Sequence, residues 1–132
     1  MMLFLQIMNK AFFLIPRRRV RLKQAEYLAH KEAARTLVHA RLMHFNQFYK
    51  FSYNRVSIKN IRSRWGSCSS LGNLNFSYRI VFLSPEAQDY IIVHELCHLG
   101  EFNHSSRFWQ LVEKQIPNYQ NLHQKLKRGI ML

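Results

Sequence analysis

Residues 84–100 constrain this chain more than any other stretch, because they combine a helix that must be buried with side chains that resist burial. Ser84 and Pro85 read as an N-cap followed by a first-turn proline. Tyr90, Ile91, Ile92, Val93, Leu96 and Leu99 follow with no polar face between them, and Gly100 is the expected stop. A helix that is apolar nearly all round belongs inside a core. His94, Glu95 and His98 nevertheless stand in its middle. Two imidazoles and a carboxylate are costly to bury without partners. A shared metal ion removes that difficulty for the histidines, since each gives the ion a lone pair.

The spacing His94-Glu95-Leu96-Cys97-His98 suits such an ion. Four residues along a helix are a rotation of about 40° and a rise of about 6 Å, so both imidazoles leave the same face. A hydrogen-bonded core histidine is the plainer reading of either residue alone, but the apolar setting favours the metal. Zn²⁺ accepts imidazole nitrogen well, and a catalytic site needs three protein ligands with one position left open. Glu95 is then placed as general acid/base, taking a proton from water and returning it to the leaving group. For the third ligand the spacing favours His104, which follows the Gly100 break and precedes a new helix at Ser105, ahead of Glu113 and then Glu101. The intervals of four and six match those of the H-E-x-x-H-x-x-G-x-x-H peptidases. Gly100 is one place early for that pattern, however, and no methionine follows before Met131, so the chain is not a metzincin by pattern. Cys97 lies about 60° from His94 on the helical wheel and reads as a buried packing thiol.

The rest of the chain reads as α+β. A short strand is expected at Phe12–Ile15, ended by Pro16, and a helix from about Leu22 to Lys50, where Ala34, Leu37, Val38, Leu42 and Phe45 recur at helical spacing. Strand patterns follow at Val56–Ile61, Arg64–Cys68 and, after a turn at Ser70–Asn73, Leu74–Phe76. Helices are expected from Ser105 to Pro117 and from Tyr119 to Arg128. An antiparallel meander followed by helices is an α+β arrangement. With 132 residues, 48% of them hydrophobic, the chain is expected to form one domain, and wholesale disorder is excluded. Two cysteines do not make a disulfide framework, which fits a cytoplasmic setting. The opening MMLFLQIMNKAFFLI is too short to span a bilayer and carries its charges after the apolar run, so neither a secretory signal nor stable membrane insertion is expected.

Two passages carry a family resemblance: RSRWGSCSSLGNLNFSYRIVFLSPEAQDYIIV, residues 62–93, and HELCHLGEFNHSSRFW, residues 94–109. Together they resemble the YgjP-like metal-dependent hydrolases, relatives of the SprT-like and WLM zinc metallopeptidases. The likeness runs from about Lys31 to Lys127 and is most specific at RWGSC, HELCH, NHS and FW. It implies a compact zincin-like fold, with a small antiparallel sheet packed on an N-terminal helix and the HExxH helix. Residues 1–132 are then one domain, with 1–30 a shortened N-terminal region and 31–127 the family-like core. The resemblance also implies His94, His98 and His104 as ligands of one Zn²⁺ or another divalent ion, and Glu95 as the catalytic residue. Within RWGSC, Gly66 permits close backbone approach and Trp65 fills core, while Arg64 suits either substrate binding or a structural ion pair.

Three functions follow from these readings. The first is a zinc-dependent peptidase acting on a peptide or protein that adds to the sheet edge around Leu74–Phe76. Tyr78, Arg79, Asn103 and Tyr119 are its candidate oxyanion stabilisers. The second is a nucleotide phosphohydrolase releasing pyrophosphate, which the absence of a Gly-rich phosphate loop disfavours. The third is a nucleic-acid-binding module or a protease acting on DNA-associated protein, suggested by charge. Residues 1–64 carry 14 of the 20 basic side chains against Glu26 and Glu32, a net +12 within a total of +13. Such a surface attracts phosphate without sequence specificity, but no separate DNA-binding motif accompanies it.

Overall fold

The computed structural model describes residues 24–129. The strand expected at Phe12–Ile15 and most of the shortened N-terminal region lie outside them. Helix α1 spans Gln24–Tyr49 and buries Ala34, Val38, Leu42 and Phe45, a stripe at three- and four-residue intervals. It ends where Lys50 takes a left-handed φ of 57°. Asn46 fixes that corner by accepting from Phe51 N and donating to Phe51 O, both at 2.8 Å.

Three strands follow: β1 (Arg55–Lys59), β2 (Gly66–Cys68) and β3 (Asn73–Ser77). The sheet is mixed, which corrects the antiparallel meander expected from the sequence. Its order is β1-β3-β2, with β3 antiparallel to β2 and parallel to β1. Strands β2 and β3 form a hairpin through Ser69–Gly72, where Gly72 has a φ of 80° that a side chain would strain. The residues between β1 and β2 then carry the chain past the place that β3 fills. Ile61 belongs to this crossing and not to a strand; its carbonyl accepts from Ser77 Oγ at 3.0 Å and Arg79 Nη1 at 2.7 Å. Strand β3 is therefore central, so the edge expected around Leu74–Phe76 is corrected to β2 and β1.

A 3₁₀ turn at Tyr78–Phe82, absent from the sequence expectations, leads into helix α2 (Pro85–Cys97). Ser84 caps α2 by accepting from Ala87 N, as expected. Gly100 is not a left-handed helix stop, because only Gly72 and Gly129 among the described glycines have positive φ. What it supplies is space: a Cβ there would lie 2.7 Å from the Phe51 ring. Helices α3 (Ser106–Gln115) and α4 (Tyr119–Lys127) complete the described chain. The α1 stripe, Leu74 and Phe76 of β3, Trp65, Phe108, Val112 and Leu122 enclose α2, whose Tyr90, Ile91, Ile92, Val93 and Leu96 are fully buried. Arg41 ties α1 to α2 through two bonds to the Asp89 carboxylate, at 2.7 and 3.0 Å. No helix among the described residues is long and apolar enough to cross a membrane.

Candidate metal centre

His94 and His98 project from one face of α2, with their Nε2 atoms 3.0 Å apart. The chain turns after the helix and brings in His104, immediately before Ser105 caps α3. His104 Nε2 lies 3.1 Å from that of His98 and 3.2 Å from that of His94. Three ring nitrogens at these distances cannot satisfy one another by hydrogen bonding, since each carries either one proton or one lone pair. A tetrahedral ion with bonds of about 2.0–2.1 Å holds its nitrogens about 3.3 Å apart, close to the spacing found. These three imidazoles are the group among the described residues that could hold a metal ion. Glu113 is not in that group. Glu101 contributes its backbone instead of its carboxylate, its carbonyl oxygen lying 3.0 Å from His98 Nδ1. A carbonyl only accepts, so His98 carries its proton on Nδ1 and its lone pair on Nε2.

The electrostatics agree with lone-pair donation. Burial, reinforced by the neighbouring rings, pushes His94 well below the usual histidine range, His98 to about 3 and His104 to about 4. All three are neutral at pH 7. Aromatic rings fix their planes. Phe108 stacks on His98 at 4.2 Å and Trp109 on His104 at 5.6 Å, so the FW pair is the wall of the centre. Tyr119 stacks on Trp109 at 5.0 Å, which connects one of the four oxyanion candidates to this wall. Tyr78 instead packs on Tyr27 of α1, and Arg79 bonds the Ile61 carbonyl. His123 on α4 was not anticipated; its Nδ1 lies 2.9 Å from the Tyr90 hydroxyl, which is itself 3.4 Å from His94 Nδ1.

Glu95 leaves α2 toward β2. A Cβ on Gly66 would sit 3.0 Å from Glu95 Cγ, 3.2 Å from its Oε2 and 3.0 Å from the Asn75 carbonyl oxygen, so only glycine leaves this carboxylate its place. The group is 1% exposed, and its Oε1 has no hydrogen-bond partner among the described residues. Burial raises its pKa to about 8, with Arg64 opposing the shift. Arg64 is within electrostatic reach of Glu95 but forms no ion pair with it among the described residues. Trp65 is 2% exposed and fills core, as expected. Both thiols are buried. Burial pushes Cys97 up to about 12, partly offset by the Tyr49 hydroxyl, and drives Cys68 higher, with Glu95 adding to the effect.

Among curated proteins, none matches the chain by sequence. Among solved structures, the crystal structure of the metallopeptidase zymogen of Pyrococcus abyssi abylysin is similar, with a TM-score of 0.62 and 25% identity. That likeness covers 70% of this chain and 94% of the other. The family described as YgjP-like, metallopeptidase domain, matches residues 15–129, which takes in every described helix and strand. The convergent imidazoles thus lie within a recognised metallohydrolase domain, and the chain belongs to the YgjP-like metallopeptidase family.

Proposed function

We propose that the protein is a zinc-dependent peptidase in which His94, His98 and His104 hold one Zn²⁺ and Glu95 is the general acid/base. The observation that carries this reading is the meeting of three neutral Nε2 atoms within 3.0–3.2 Å of one another beside a buried carboxylate. A bound Zn²⁺ supplies Lewis-acid polarisation of a carbonyl and acidifies water. Glu95 accepts a proton from the attacking water and passes it to the departing amine. The close approach of the Gly66 backbone holds the carboxylate in place for that transfer. Strand β2 pairs only with β3 among the described residues, which leaves an edge next to Glu95. An extended peptide adding to that edge by main-chain hydrogen bonds would lie across the centre once the edge, where Gly66, Ser67 and Cys68 are all buried, is uncovered.

The test compares the wild-type protein with Glu95→Gln for metal content and for cleavage of casein and short peptides. Glu95→Gln is expected to keep one Zn²⁺ per chain and to lose about 10²–10⁴-fold in rate. Unchanged hydrolysis in that variant overturns the role of Glu95. Release of phosphate or pyrophosphate from nucleoside triphosphates, with no peptide cleavage, overturns the substrate class.

A further inference from the structure

Tyr90 stands one helical turn before His94 on α2, so both side chains leave the same face of the helix. The phenol is fully buried, and its oxygen lies between two imidazoles, 3.4 Å from His94 Nδ1 and 2.9 Å from His123 Nδ1. A phenol has one proton, and its oxygen also accepts. Between two ring nitrogens it therefore donates to one and accepts from the other. The far side of His94 sets the direction. His94 Nε2 is the atom that faces His98 and His104, and a neutral imidazole offering a lone pair there keeps its proton on Nδ1. The bonds then run from His94 Nδ1–H to the Tyr90 oxygen, and from the Tyr90 hydroxyl to His123 Nδ1. Tyr90 meets the two rings nearly edge-on, at 81° and 85°. His123 is held in turn by Trp109, whose indole also stacks on His104.

We propose that Tyr90 and His123 are positioning residues of the metal centre, which together hold His94 in the tautomer and ring orientation that aim its Nε2 at the ion. This rests on the peptidase reading above, through the role of His94 as a ligand. The two helical ligands are then oriented by different means. His98 uses a carbonyl three residues away, whereas His94 needs a side chain on α4, separated from Tyr90 by 33 residues. Helix α4 provides none of the three imidazoles, yet through His123 it becomes part of the centre.

The test uses the full chain and three variants. Tyr90→Phe removes only the hydroxyl, His123→Ala removes the acceptor, and His123→Gln restores an acceptor through its amide oxygen. Zn²⁺ affinity is measured by competition with a chromophoric chelator. In the metal-free protein, ¹⁵N NMR of the imidazoles reads which nitrogen of His94 carries the proton. Tyr90→Phe and His123→Ala are expected to weaken Zn²⁺ binding about 10–100-fold, the usual effect of removing an outer partner of a ligand. In both, His94 should lose its preference for a proton on Nδ1, and His123→Gln should recover most of the affinity. A packing role alone would lower the melting temperature and leave tautomer and affinity as they are; that result overturns the proposal. Wild type that takes up no Zn²⁺ overturns the peptidase reading and this proposal with it. Wild type and variants that bind one ion equally tightly overturn the positioning role alone.

Discussion

At the scale of single residues, Gly66 and Glu95 form one unit, because the space a side chain would take on β2 is occupied by the carboxylate on α2. Gly66→Ala places a methyl group against that carboxylate and against a backbone oxygen that cannot move freely. It is expected to cost about 1–3 kcal/mol in stability, the usual range for overpacking. Hydrolysis should fall more steeply than zinc content, since the side chain nearest a Cβ at Gly66 is that of Glu95 and not an imidazole; denaturant unfolding, metal analysis and a peptide assay together check this. The two thiols give a second prediction. Burial keeps Cys68 and Cys97 protonated far above neutrality, so neither should react with a thiol reagent at pH 8 until the chain is unfolded, when two should titrate. The convergence of His94, His98 and His104 was legible in the sequence because helical geometry fixes the relation of His94 to His98, and the end of α2 at Cys97 lets the chain bring His104 back. His123 was not legible. Its partner is Tyr90, far away in sequence, and a lone histidine on a polar helix carries no local signal of such a contact.

At the scale of elements, α2 is the member that the others position. Ser84→Ala removes its N-cap and should cost about 1 kcal/mol, read as a lower midpoint in thermal or urea unfolding. Arg41→Ala breaks the two-point contact between α1 and Asp89. With the pair only partly exposed, at 33% and 24%, the loss should be about 1 kcal/mol and should shrink as salt is added. Helix boundaries came close to expectation because capping residues and apolar spacing are local properties. The sheet order did not. Alternation predicts strands but not their partners, and the preference for pairing neighbours in sequence fails where β3 enters between β1 and β2. The 3₁₀ turn at Tyr78–Phe82 has no separate signal in the sequence for a related reason: its cap, Ser77, also ends β3, so one residue serves two elements.

At the scale of the whole molecule, charge and chemistry occupy different halves of the sequence. The net +12 belongs to residues 1–64, while the three imidazoles and Glu95 lie in the nearly neutral remainder. An ion that binds the folded chain but not the unfolded one stabilises it by mass action, about 2.7 kcal/mol at a hundredfold excess over the dissociation constant. Added Zn²⁺ should therefore raise the melting temperature of the wild type and leave that of His98→Ala unmoved. The core that encloses α2 is assembled from α1, Trp65, β3 and Phe108, groups that need no ion to pack. An ion held by the three imidazoles would close only the short loop from His94 to His104, and opening the turn before α3 would free one of its three partners without parting the core. Exchange of the ion should then run on the clock of a local hinge, far faster than unfolding. A chelator should strip the centre within the lifetime of the native state, leave the far-ultraviolet dichroism unchanged, and allow the same molecule to be reloaded.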